Sequence, residues 1–154
     1  MDIRSGVSGK YFVARREGEA NVFPLPTVRL AMANPIPDNV ETFAEVVGPD
    51  GDEIIAEMDD YAEREGFPTV GPAVGGWLEL LARMVDAERI FEFGSGYGYS
   101  AYWFSRALDG DGEIVLTEVD EDELDLAEEY LARGDFDSTA HFELGDAIDT
   151  VEGY

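Results

Sequence analysis

The sequence predicts an α/β fold in which three helices lead into a βαβαβ unit with a parallel sheet. Three observations carry this. From residue 89 onward, short β-favouring runs alternate with runs of helical period. The first strand-to-helix junction, "FEFGSGYGYS", places three glycines within five positions. Residues 38–85 show three separate apolar stripes at helical spacing and no alternation. Strands alternating with helices of this length imply right-handed crossovers and a parallel sheet.

Residues 1–31 stand apart. They carry five bases and three acids, whereas residues 32–154 carry five bases and thirty-two acids. The segment has no sustained period and is broken by Pro24 and Pro26. Two expectations are open for it: upstream sequence read in error ahead of a natural start at Met32, or a flexible N-terminal arm. Residues 32–154 then form the folded domain.

The first helix starts at Asp38, with Glu41 three residues on as its reciprocal cap. Val40, Phe43, Val46 and Val47 make its apolar stripe, and Gly48-Pro49 ends it. The second runs from about Gly51 to Glu65, with Ile54, Ile55, Met58 and Tyr61 on one side and Gly66 as its stop. The third extends from about Pro72 to Val85 along Val74, Trp77, Leu78, Leu81 and Met84. Arg89–Phe93 is the first strand, and Tyr99–Leu108 is a helix closed by Gly110. Glu113–Val119 is the second strand. Asp120–Arg133 is the next helix, with Asp120 and Glu123 as capping pair and Gly134 as terminator. Thr139–Leu144 is the third strand. Trp77, Tyr102, Trp103 and Phe104 read as packing residues, and His141, alternating on a strand, as a residue without metal-binding partners.

Charge bounds the partners. Thirty-five acids against ten bases give a net −25, and Lys10 is the only lysine. Such a surface repels nucleic acid and anionic membranes, so neither is expected as a partner. No apolar run is long enough to cross a bilayer and no signal sequence is present, which gives a cytoplasmic expectation. The acids are spread over the helix faces, which leaves two readings open: adaptation to high intracellular salt, as in salt-adapted archaea, where screening suppresses self-repulsion, or an ordinary acidic protein. With no cysteine, disulfides and thiolate metal sites are excluded.

The glycine turn carries the chemistry. Gly94, Gly96 and Gly98 lie where the first strand meets its helix, and glycine lets a ligand approach the backbone closely. A dinucleotide fingerprint would place its third glycine at position 99, which is Tyr99. The pattern present is E-x-G-x-G-x-G, with Glu92 two residues ahead of the first glycine. A carboxylate there suits a ligand bearing a cationic group better than a diphosphate.

With the upstream helix "GPAVGGWLELLARM" and the downstream "LTEVDED", the stretch "FEFGSGYGYSAY" resembles motif I of class I S-adenosylmethionine-dependent methyltransferases, in the catechol and caffeoyl-CoA O-methyltransferase family. The resemblance covers about residues 67–148 and implies a Rossmann-like methyltransferase fold with S-adenosyl-L-methionine as cofactor and a small hydroxylated or phenolic molecule as methyl acceptor. It implies that Glu92 lies near the cofactor's ammonium group and that Gly94, Ser95 and Gly96 pass beneath its methionyl and ribose parts. Ser100 would bond the carboxylate. Glu118, 24 residues after Gly94, would accept both ribose hydroxyls. Asp146 and Ala147 of "GDA" would lie beside adenine, and Thr69, Val70 and Gly71 would form a strap against the cofactor.

In that family a divalent metal often orients the acceptor, held by an Asp and an Asp-Asn pair beyond the third strand's loop. The sequence ends at "DTVEGY" before such residues, and the C-terminal strands of the full fold are absent. The expectation is an incomplete methyltransferase domain that is itself inactive, with no catalytic residue assigned and its first strand left with a free edge. The family commonly pairs, so the resemblance admits a homodimer, although the sequence itself does not reveal the oligomeric state. Two other readings stay open: a non-catalytic cofactor-binding or dimerisation module, and an NAD-binding oxidoreductase that uses the same turn.

Overall fold

The computed structural model describes residues 38–154. The leader 1–31 and Met32 lie outside the described residues, as do the side chains of Asp38 and Glu41 proposed to cap the first helix. Ten elements follow in order: α1 (Asp38–Val47), α2 (Glu53–Glu65), α3 (Gly71–Met84), β1 (Arg89–Phe93), α4 (Tyr99–Ser105), β2 (Glu113–Glu118), α5 (Glu121–Arg133), β3 (Ala140–Leu144), α6 (Ala147–Thr150) and a 3₁₀ turn, Val151–Gly153.

The strands form one parallel sheet in the order β1-β2-β3. β2 is central, and its Ile114, Val115, Leu116 and Thr117 are fully buried, as a strand flanked on both edges and covered on its faces should be. Alternate side chains divide the sheet. Ile90, Ile114, Leu116, Ala140 and Phe142 join one core with Trp103, Tyr102 and Tyr99 of α4, Leu124, Ala127, Tyr130 and Leu131 of α5, and Ile55 and Met58 of α2. On the other face Phe91 packs edge-on against Phe93 and Tyr154.

Helix ends explain several boundaries. Asp52 caps α2 by accepting from the amides of Ile54 and Ile55, and its second oxygen takes the Tyr102 hydroxyl at 3.1 Å, so one residue starts α2 and ties it to α4. Gly66 closes α2 in the left-handed conformation. α4 is shorter than the expected Tyr99–Leu108, because beyond Ser105 the chain tightens into i→i−3 bonds, Ala107 to Phe104 and Leu108 to Ser105. α5 is capped by Asp120, but through the Asp122 amide and not reciprocally with Glu123. Glu118 Oε1 takes the Asp120 amide that Glu123 would have used. Gly134 is not the left-handed residue after α5; Asp135 is, at φ +62°. Gly134 is small because a Cβ there would come within 2.7 Å of the Tyr102 ring. α6 and the 3₁₀ turn are too short to leave a periodic signal, and the sequence reading has neither.

Two expected apolar stripes face outward. On α1, Phe43 is 61% exposed and Val46 79%. On α3, Leu81 and Met84 are exposed, Trp77 is only half-buried, and the buried positions are Ala73, Gly75, Gly76, Glu79 and Ala82. Close approach decides this. A Cβ on Gly75 would lie 2.2 Å from the Trp103 indole nitrogen, so α3 meets α4 through its smallest residues. Glu79 is buried because Arg83 and Arg106 bind it from two sides, at 2.9 and 3.2 Å.

Candidate functional site

The site lies where the chain leaves β1. Gly94 (φ +76°), Gly96 (φ +51°) and Gly98 (φ +83°) all adopt the left-handed conformation, which L side chains enter only with strain. Each glycine also has its own spatial reason. A Cβ on Gly94 would meet nothing within 4 Å, so this face of the turn is open to a ligand. On Gly96 it would strike the Phe67 ring at 2.6 Å, and on Gly98 the Ala127 Cβ at 2.9 Å. Gly98 therefore does for α5 the packing work that a dinucleotide fingerprint assigns to its third glycine, one residue early, while Tyr99 is buried in the core.

β2 secures the turn. Thr117 Oγ1 donates to the Glu92 carbonyl at 2.6 Å and accepts from the Gly94 amide at 3.2 Å. The Thr117 carbonyl accepts from the Ser95 amide at 2.9 Å. Ser95 is buried, and its hydroxyl also reaches the Thr117 carbonyl. Glu118 Oε2 accepts from the Gly96 amide at 2.8 Å, while Oε1 accepts from Val119 and Asp120. A carboxylate has about four lone-pair positions, so three backbone bonds leave one for a ligand hydroxyl. A grip on both ribose hydroxyls would displace one of them, the 3.2 Å Asp120 bond being the longest.

Glu92 is the electrostatic centre. Its Oε1 accepts from the Ser100 hydroxyl, and its Oε2 is buried with no partner. Burial pushes this carboxyl up to about 7, against the opposing pull of the Ser100 hydrogen bond. Ser100 thus points at Glu92, not away toward a ligand carboxylate.

The remaining expected site residues lie on two other segments, the one leading into α3 and the one following β3. Thr69 and Gly71 line a hollow of about 390 Å³ with Asp59, Ala62, Glu63, Phe67 and Pro72, and Val70 is exposed beside them. Phe67 lines that hollow and touches the Gly96 position, so it connects the strap to the turn. Asp146 caps α6 through the Ile148 amide at 2.8 Å, and Ala147 is the first residue of that helix. The expectations from sequence omit Thr117, Phe67 and Tyr97. Tyr97 is fully buried in the turn, donates to the Met58 carbonyl, and packs edge-on against Phe67 and at a tilt against Tyr61. The one available signal was a threonine inside the apolar run "EIVLTE".

His141 pairs with Glu113 at 3.3 Å, away from the turn. Among the described residues no three His, Cys, Asp or Glu side chains converge as metal ligands. No helix among them is long and apolar enough to cross a membrane.

The sequence profile of the O-methyltransferase family matches residues 46–154. A catechol O-methyltransferase of Niastella koreensis is 32% identical over 123 residues, 78% of this chain and 55% of that one. The O-methyltransferase from Bacillus cereus, solved in complex with SAH, superimposes with a TM-score of 0.65 at 26% identity, covering 75% of this chain and 53% of that one. The O-methyltransferase TomG from Streptomyces achromogenes, solved with SAM, gives 0.67 at 28% identity, covering 75% and 52%. The chain spans about half the length of each of these three proteins.

Proposed function

The chain belongs to the O-methyltransferase family, and we propose that it binds S-adenosylmethionine at the glycine turn and serves methyl transfer to a hydroxyl of a small acceptor, phenols first among those to try. The observation that carries this reading is the buried, unpartnered Oε2 of Glu92, the acid two residues ahead of a glycine turn whose first glycine has open space at its Cβ position. A desolvated carboxylate oxygen is costly to leave unpaired, and a ligand ammonium group supplies the missing partner. The solved relatives that hold SAH or SAM support the same choice of ligand.

The residues divide the work. Glu92 would face the ammonium group, oriented by the Ser100 hydroxyl. Gly94, Ser95 and Gly96 would let the ligand lie against the backbone, and Glu118 would accept from the ribose. Thr69, Val70 and Gly71, the strap leading into α3, would touch the ligand, and Asp146 and Ala147 would border adenine. When bound, the cofactor supplies an activated methyl group that an acceptor oxygen displaces in line. The protein's contribution to that step is holding the two in attack geometry. The described residues do not form a divalent-metal site.

Calorimetry on the 154-residue chain in molar KCl tests this reading. S-adenosylhomocysteine binds and NAD does not, if the turn reads a cationic amino-acid ligand. Absence of heat with S-adenosylhomocysteine, or binding of NAD in its place, refutes it.

A further inference from the structure

The turn needs something to hold it where the strand ladder ends, and one side chain does so. The β1–β2 register ends at the Phe93–Thr117 pair, and the Gly94 amide beyond it bonds a side chain and not the ladder. Thr117, paired in register with Phe93 and fully buried, reaches across with its hydroxyl instead. The hydroxyl has a single proton, and it goes to the Glu92 carbonyl at 2.6 Å. The contact with the Gly94 amide at 3.2 Å therefore uses a lone pair, and the sense of both bonds is fixed. The same residue's carbonyl takes the Ser95 amide, and the next residue, Glu118, takes the Gly96 amide. Two consecutive residues of β2 thus hold three consecutive amides of the turn.

We infer that Thr117 is a positioning residue for the cofactor, its hydroxyl fixing both the backbone that carries Glu92 and the open glycine against which the ligand lies. This rests on the reading of the turn as an S-adenosylmethionine site. Valine has nearly the same shape and no hydroxyl. In its place the exposed Gly94 amide would turn to water and the turn would loosen, although packing around position 117 would be kept.

The test compares the wild-type chain with Thr117→Val and Thr117→Ser in molar KCl. Two readouts are used: affinity for S-adenosylhomocysteine and hydrogen exchange at the Gly94 amide in ligand-free protein. Thr117→Val is expected to weaken binding about tenfold and to speed Gly94 exchange. Thr117→Ser, which keeps the hydroxyl, is expected to change neither. If Thr117→Val matches wild type in both readouts, or Thr117→Ser loses as much as Thr117→Val, the inference is overturned. Should the valine variant fail to fold, the serine variant alone decides, since loss of both properties there overturns it and retention supports it. A wild-type chain that binds no S-adenosylhomocysteine defeats the cofactor reading, while Gly94 exchange still judges the clamp.

Discussion

Replacing Glu92 by glutamine should make the protein more stable and a worse binder. Burial raises the Glu92 carboxyl from 4.5 to about 7. A shift of that size corresponds to about 3 kcal/mol between its two protonation states. The folded chain holds the proton more tightly than the unfolded one. Its stability is therefore fully present below about pH 4.5, falls as pH rises, and carries the whole penalty above about pH 7. Glutamine has no charge to desolvate. The gain of Glu92→Gln over wild type should grow from nil near pH 4.5 to about 3 kcal/mol above pH 7. Urea melts of both chains across this range, at constant molar KCl, measure it. The ligand readout moves the other way. An ammonium group prefers the ionised carboxyl, so wild-type affinity for S-adenosylhomocysteine should climb toward about pH 7 and level off above it. The glutamine variant should bind more weakly, with no such climb. Parallel stability curves for the two chains, or equal affinities at every pH, would refute the claim that Glu92 is a buried charge kept for a cationic partner.

Two further perturbations follow from the fold and the composition. Gly75→Ala puts a Cβ 2.2 Å from the Trp103 indole nitrogen, at a side chain with no exposure, and should cost about 2–3 kcal/mol in a urea melt; an unchanged midpoint contradicts the close α3–α4 approach. The five arginines from residue 38 onward are all ion-paired, so the remaining acids have no cationic partner among the described residues. The melting temperature should rise steeply with KCl and fall in dilute buffer, and a flat dependence argues against salt adaptation.

Strands and helix starts are legible here because they are set locally. Arg89–Phe93 alternates into a glycine turn, and the seen strand has those ends. Helix faces on α1 and α3 are not legible, because which face is buried depends on how close a neighbour comes. Period alone marks Val74, Trp77, Leu78, Leu81 and Met84 as the inner stripe of α3. The Trp103 indole selects the glycine face instead, since only there can the two backbones approach. The Asp120–Glu123 cap fails for a related reason: the amide it needs is reached first by Glu118, a residue whose position depends on the sheet.

The turn is legible in its glycines and silent about what holds them. Positive φ at Gly94, Gly96 and Gly98 follows from residue type, and the acid ahead of them is visible as a charge where a diphosphate site would avoid one. Thr117 belongs to another strand, 23 residues from Gly94, and only parallel register brings its hydroxyl to that amide. Glu118 illustrates the same dependence, because in sequence it reads as a free carboxylate awaiting a sugar. In the folded chain three backbone amides already occupy it, two from its own strand end and one from the glycine turn. A residue that binds the loop and a ligand together couples the two. If the proposed site holds the cofactor, ligand order and turn order should rise and fall together, through the acid ending β2 and the threonine before it.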